Sequence, residues 1–376
     1  MNFWPAMAEL GGDYDDCHPE ELIKMPATAE TISLGLPVAI DRIDRELKKL
    51  WSEGEGAMTR ASLMNLAVYS EERESLTRNT RLLARITENH ACRAIVIGAD
   101  PHARNDRMEA WISAHCHLSR AGTKRVCSEQ ISFLLEGATV KLLPSIVFSQ
   151  LDSDLPLYLW WQPEFAEPMD PQLWSWIDRL IYDSQSWRDF KLQMRLVEMA
   201  QREAKQRIVL CDLNWTRLVH FRLAFAQFFD HPGSHHHFRE IKNGSIIFGH
   251  GFRSTAILFV GWLAAQLGWE IRSEKNAELI ELENFDGKTV RIQLQEKGDA
   301  PIASFTAQSG EIEFQVTLAS CGDLLEVCRG KLGEAPARQV LPSAENDSVK
   351  LMSEELMRGG PHHVYLRAVE KVRTLL

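Results

Sequence analysis

Long apolar runs are missing from this chain. No stretch approaches the roughly 18 consecutive apolar residues of a membrane-spanning helix, so no membrane role is expected. Cysteine is sparse as well: seven residues, at positions 17, 92, 116, 127, 211, 321 and 328, make an odd number without the dense even spacing of a disulfide framework. A reducing cytoplasm fits that usage. Basic charge is in deficit, since 42 Lys and Arg against 52 Asp and Glu leave a net charge of −10. That balance repels a phosphate backbone and argues against nucleic-acid binding. Met1 to Gly12 has no cationic start followed by an apolar segment, so no secretory signal is expected. Catalytic signatures are also absent. No G-x-G-x-x-G or G-x-x-x-x-G-K loop stands at a strand-to-helix junction, and there is no G-x-S-x-G, H-E-x-x-H or C-x-x-C. No cofactor, no metal and no catalytic residue is therefore assigned.

What is present is globular: 45% apolar and 25% charged residues over 376 positions, enough for two domains. The organisation expected is a mobile lead-in over residues 1–37, an α/β domain over 38–205, an α+β domain over 206–333, and a linker with a terminal helix over 334–376. Ile40, Ile43, Leu47, Leu50 and Trp51 recur at helical spacing. A helix over 71–89 is expected next, and residues 59–67 fit helix or strand equally. Runs at 94–97, 124–135, 139–148, 155–161, 179–182 and 208–211 read as strands, with a helix at 111–118 and another at 186–207. This alternation gives a sheet covered by helices. Further on, a helix over 215–229 capped by Asn214, a strand at 241–248, a helix at 255–267 and four strands between 277 and 318 make a second unit with an antiparallel sheet. Asp286-Gly287 turns one of its hairpins. Residues 321–331 read as helix and 335–347 as a polar linker.

Among metal-like clusters, His231, His235, His236 and His237 fall in a Gly- and Pro-containing stretch and read as a structural loop. His115, Cys116 and His117, on a helix, would point apart. Cys321 and Cys328 would share a helix face but stand about 10 Å apart along it, too far for a disulfide. More informative are the polar residues that end the buried runs. Trp160 and Trp161 close one, Asp183 and Ser184 another, and Asp212 a third, followed by Trp215 and Arg217. Ligands of open α/β sheets bind beyond the carboxyl ends of strands, so these seven residues form a candidate pocket where Arg217 would meet an anion such as a sugar phosphate. The plainer reading is that Ser184 and Asp212 cap turns and the tryptophans fill core. Arg188, Lys191, Arg195 and Arg202 form a basic stripe, either a solvated helix face or a docking surface for an acidic partner.

The segments TRASLMNLAVYS (59–70), DLPLYLWW (154–161), RLIYDS (179–184), DLNWTRL (212–218) and GWLAAQLGW (261–269) resemble, in order, the glucose-6-phosphate dehydrogenase assembly protein family, OpcA. The similarity spans about residues 40–330. Ala91, Cys92 and Gln162 depart from the family's pattern. The resemblance implies a bacterial cytoplasmic protein that binds glucose-6-phosphate dehydrogenase, promotes its active oligomer and controls entry to the oxidative pentose phosphate pathway. No catalytic residues come with that role. An enzyme or sensor with a sugar-phosphate pocket at the strand ends is the alternative.

Overall fold

The computed structural model describes residues 34–52, 58–72, 74–118, 125–166, 171–203, 208–230, 235–276, 278–331, 334–343 and 345–373. Most of the expected lead-in, residues 1–33, lies outside them. In chain order the first half runs β1 (Leu36–Val38), α1 (Ile43–Ser52), β2 (Met58–Arg60), β3 (Asn65–Ser70), α2 (Ser75–Thr87), β4 (Arg93–Asp100), β5 (Arg107–Leu118) and β6 (Arg125–Glu136). It continues with α3 (Leu143–Ser149), β7 (Leu157–Trp161), α4 (Pro171–Trp174), β8 (Arg179–Tyr182), α5 (Phe190–Glu203) and β9 (Val209–Asp212). The strands form a nine-stranded sheet in the order β1-β5-β6-β4-β3-β7-β8-β9, with β2 also on β6. Only β1 and β5 run antiparallel to their neighbours.

The central strands are buried on both faces, which is why they read as continuous apolar runs. Along β3 and β4, Ala67, Tyr69, Ile95 and Ile97 enter one core. Leu66, Val68, Ala94 and Val96 alternate into the other. There Leu76, Leu83 and Ile86 of α2 cover them at helical spacing. The residues left undecided between helix and strand, 59–67, supply β2 and the start of β3.

The second half runs α6 (Leu213–Arg217), α7 (Val219–Ala226), α8 (His235–Glu240), β10 (Ile241–Phe248), α9 (Arg253–Leu267), β11 (Glu270–Asn276), β12 (Leu279–Glu283), β13 (Thr289–Glu296), β14 (Ser304–Ser309), β15 (Ile312–Leu318), β16 (Leu324–Lys331), β17 (Ala337–Pro342), α10 (Ser348–Met357) and α11 (His363–Val372). Its eight-stranded sheet has the order β11-β12-β13-β10-β14-β15-β16-β17. All pairs are antiparallel except β10 with β13. The chain is thus a mixed α/β protein with two sheets. β9 pairs with β8, so the first sheet closes at Asp212, beyond the boundary expected after residue 205. α9 is apolar all round and buried from Thr255 to Ala264. It lies so close to α11 that a Cβ on Gly261 would stand 2.5 Å from Val372 Cγ1 and 2.6 Å from the Ala368 carbonyl oxygen.

Several expectations are corrected. Residues 111–118 are strand, not helix: β5 is half-exposed, and its partial alternation mimicked helical spacing. On that strand Cys116 lies opposite Cys127 of β6 and the two are joined by a disulfide, with Cα atoms 4.1 Å apart. His115 and His117 share the other face, where they meet Gln130 (2.9 Å) and Thr87 (3.4 Å). Residues 139–148 form a 3-10 turn and α3 instead of a strand; Pro144 sits in the first turn of that helix, where its missing N–H costs nothing. The helix expected over 186–207 begins at Phe190, with Asp189 accepting from the Leu192 N–H at 2.8 Å. Residues 324–331 are strand β16, and Cys328 faces Gln315 and Arg338 across it, so no helix pairs it with Cys321. The linker at 335–347 contains the edge strand β17, whose side chains are exposed apart from the half-buried Leu341, so no buried face marks it. Among the described residues, two helices, α10 and α11, follow that linker where one was expected. His235–His237 lie on α8 instead of in a loop; His231 is outside the described residues. His237 is buried there, near Ser309 Oγ and Arg329, each at 3.4 Å.

Candidate functional site

The parallel strands β7, β8 and β9 deliver their carboxyl ends to one edge of the first sheet. Asp212 ends β9 with extended backbone angles, and its side chain accepts the Asn214 N–H at 2.9 Å. Asp212 is therefore the N-cap of α6, two residues ahead of the expected Asn214. The helix then breaks at Leu218 and resumes as α7. Asp212 is wholly buried, and four donors converge on it. The Ser184 and Asn214 backbone N–H groups reach Oδ1 at 3.0 and 2.9 Å. The Ser184 and Tyr365 hydroxyls reach Oδ2 at 2.6 and 3.2 Å. Tyr365 in turn lies 2.8 Å from the Tyr182 hydroxyl. Asn214 adds a second layer: its Nδ2 donates to Ser184 and Ser254 (3.1 and 3.2 Å), and Thr255 donates to its Oδ1 at 2.5 Å. One buried carboxylate thus ties β8, β9, α6, α9 and α11 together.

No cation forms a hydrogen bond or ion pair with Asp212 among the described residues. Burial pushes its pKa from 3.8 up to about 7, against the Ser184 hydroxyl and the two backbone N–H groups, which favour the charged form; Asp183 adds to the rise. Burial likewise holds the Tyr182 and Tyr365 phenols well above their usual range. Ser184 is 0% exposed, so no substrate reaches its hydroxyl without opening this joint.

The remaining expected pocket residues are dispersed. Trp160 and Trp161 point to opposite faces of the sheet, into the two cores. Trp161 stacks on Tyr69 at 4.1 Å and lines, with Trp174, a hollow of about 290 Å3. Gln162 seals the end of β7 onto α2 by a reciprocal amide pair with Asn79, at 3.0 and 2.9 Å. Asp183 accepts both Arg217 Nη atoms at 2.7 and 2.6 Å, while Arg217 Nε donates to Asn346. Arg217 is thus engaged within the chain. Trp215 packs against Tyr365 and faces a different cavity. The structure joins Asp183 to Arg217 and Ser184 to Asp212, but it does not gather the seven around a common void.

Sequence reasoning missed Tyr365, Thr255 and Tyr182, whose polar tips meet Asp212, Asn214 and Tyr365 respectively, and only through the tertiary fold. It also missed a second buried cluster, in which Glu355 of α10 accepts from Thr216 at 2.9 Å, with Arg179 at 3.8 Å and His362 at 3.2 Å. Cys211, Glu355 and His362 bring three potential ligand atoms within 4.8 Å of one another. The Arg179 guanidinium, also 3.6 Å from Cys211 Sγ, already supplies positive charge at that point. Of the basic stripe, Arg188 precedes α5, while Lys191, Arg195 and Arg202 ride on it, and all four are exposed.

The fold and its filled strand-end crevice define a two-domain α/β protein closed by a buried polar joint. Residues 84–199 match the family described as the glucose-6-phosphate dehydrogenase subunit N-terminal domain, and residues 208–369 match its C-terminal domain. The chain belongs to this OpcA family. It is 23% identical over 313 residues to the putative OxPP cycle protein OpcA of Synechococcus elongatus, covering 77% of this chain and 69% of that protein. It is 26% identical over 314 residues to the protein of the same description from Synechocystis, covering 77% and 65%. Among solved structures, an aldose-aldose oxidoreductase from Caulobacter crescentus aligns at 8% identity over 83% of this chain and 96% of that one, with a TM-score of 0.45. Likeness at that level carries no argument about function. Among the described residues, no helix is long and apolar enough to cross a membrane.

Proposed function

We propose that this chain is a non-catalytic effector that binds glucose-6-phosphate dehydrogenase in the bacterial cytoplasm, favours its active oligomer and so controls the oxidative pentose phosphate pathway. The observation that carries this reading is the match of both halves of the chain to the two domains of a glucose-6-phosphate dehydrogenase subunit family. The joint at the strand ends supports it from the other side: the polar residues most suggestive of chemistry are buried and hydrogen-bonded to one another. An effector needs only to bind the active state of its partner more tightly than the inactive one, and a preference of about 1 to 3 kcal/mol is typical. Titrating the dehydrogenase of the same organism with this protein should give saturable activation, with a heavier complex at the same stoichiometry. Neither activation nor complex would overturn the reading.

The sugar-phosphate alternative has lost its cation at the strand ends, because Arg217 is held by Asp183 and Asn346. Glucose 6-phosphate and 6-phosphogluconate are accordingly expected to leave the melting temperature unchanged. A saturable rise would restore that pocket.

The basic stripe fits the role of steering an acidic partner. Reversing Arg188 and Arg195 to Glu should slow association with the dehydrogenase about tenfold at low ionic strength and flatten its salt dependence, leaving dissociation nearly untouched. Unchanged association kinetics would eliminate the stripe as a docking face.

A further inference from the structure

We infer that the open groove between α7, α9 and α11 is the seat of an apolar, acidic segment of the dehydrogenase, an inference that rests on the partner reading above. The groove has a volume of about 950 Å3 and a floor of buried aromatic side chains that includes Phe225 and Trp262. Its rim is unusual for a surface that faces only water. Leu223 is 59% exposed, Phe285 56% and Val364 36%, three large apolar side chains around one opening. Clustered exposure of this kind marks interaction sites, whereas single exposed apolar residues are ordinary.

The charge around the groove specifies the occupant further. In a chain with ten more acidic than basic residues, none of the residues lining the groove is Asp or Glu. Three guanidiniums and two imidazoles line it instead: Arg222, Arg239, Arg358, His362 and His363. Arg222 lies over the Trp215 ring at 3.6 Å, and its buried Nε finds no acceptor among the described residues. Arg239 lies over Phe285 at 4.7 Å, at the rim. The nearest compensating carboxylates are Glu354, 2.7 Å from Arg358, and Glu355, 3.2 Å from His362, and neither lines the groove. Tryptophan and arginine at the centre of a desolvated patch are the residue types that anchor protein interfaces.

A polypeptide suits this shape better than a sugar phosphate. The hydroxyls of a sugar would lose their hydrogen bonds against Phe225, Phe229 and Trp262, and a small ligand on the floor would leave Leu223 and Phe285 in water. A segment carrying apolar side chains flanked by Asp or Glu would cover the rim, fill the floor and meet the arginines. In this arrangement the exposed stripe on α5 sets the rate of encounter, and the groove sets the lifetime of the complex.

The test compares the full chain with the double variant Leu223→Asp, Phe285→Asp and, separately, with Arg239→Glu. Binding kinetics to the dehydrogenase and melting temperature are measured for each. All three positions are at the surface, so the melting temperatures should match that of the unsubstituted chain. The double variant should dissociate at least about tenfold faster and activate only at correspondingly higher concentration, with Arg239→Glu shifted in the same direction. Dissociation and activation equal to those of the unsubstituted chain would overturn the groove alone. Failure of the unsubstituted chain to bind would overturn the partner reading and the groove with it.

Discussion

Replacing Asp212 with alanine should destabilise the protein by about 3 to 5 kcal/mol, and replacing it with asparagine should cost far less and reverse sign with pH. Alanine removes the acceptor for two buried backbone N–H groups and for the Ser184 and Tyr365 hydroxyls. The hydroxyls can rotate toward other acceptors, but the N–H groups of Ser184 and Asn214 are fixed by the turn and the helix start. Asparagine retains an acceptor for those N–H groups, and its amide can donate to Ser184 Oγ, as a protonated carboxyl would. The pH dependence follows from the raised pKa of Asp212, about 7 in the fold against 3.8 ordinarily. Folding therefore takes up a proton between those values. In the native chain this carboxyl lowers stability progressively as pH rises from about 4 to about 7, and the penalty is complete above 7. Asparagine does not titrate. The melting temperature of Asp212→Asn relative to the native chain should thus climb between pH 5 and pH 8. Parallel curves across that range would show that Asp212 is charged throughout and that the joint is held differently.

The joint and the groove share residues. Tyr365 donates to Asp212 and also lines the groove, and Trp215, one turn from Asp212, forms part of the same wall. The carboxylate at the end of β9 thereby fixes the seat of α11 against α9. For an effector that works by presenting a rigid surface, this is a use for a buried polar network that an apolar replacement would lose: its hydrogen bonds accept one placement of the helices, whereas apolar packing tolerates several.

The parts of this architecture legible in the sequence were those set by local pattern. The buried parallel strands announced themselves as β-branched and apolar runs at 94–97, 179–182 and 208–211, because both faces of each are covered. The strand ends were equally visible: Asp212 caps α6, as the plainer reading had it, while Asp183 and not Ser184 caps the turn after β8. Edge strands were not legible. β17 is exposed along most of its length and holds its place through backbone pairing with β16, for which side chains give no signal. β5, second from the edge and paired with β1 only at Ala110–Ile112, is half-exposed, and Trp111, Ala114 and Leu118 fell at helical spacing there. The disulfide between Cys116 and Cys127 was not expected for the same reason, since it depends on cross-strand register. Tyr365 was beyond reach for another reason: its partner lies 153 residues away, in a segment with no distinctive motif.

Glu129 offers the second large effect. It is 1% exposed on β6 and gathers Arg93 Nη1 at 3.0 Å, Arg60 Nη2 at 2.8 Å and the Trp51 indole N–H at 3.1 Å. One carboxylate thus pins α1, β2 and β4 to the strand between them. Its alanine variant would strand the Arg93 guanidinium, whose side chain is only 10% exposed, with the exposed Asp44 at 4.0 Å as its remaining counter-charge. Breaking a buried ion pair from one side costs about 3 to 5 kcal/mol, most of it the unpaired charge left behind. That origin separates this explanation from simple loss of packing. If the charge is the cause, Arg93→Met introduced into the Glu129→Ala background should restore a large part of the stability, because it removes the orphan. The double variant would then lie well above the sum of the two single losses in a urea titration, by more than about 1 kcal/mol. Additive losses would mean that Arg93 finds water or another acceptor when Glu129 is gone, and that the carboxylate acts through its contacts with Arg60 and Trp51 alone.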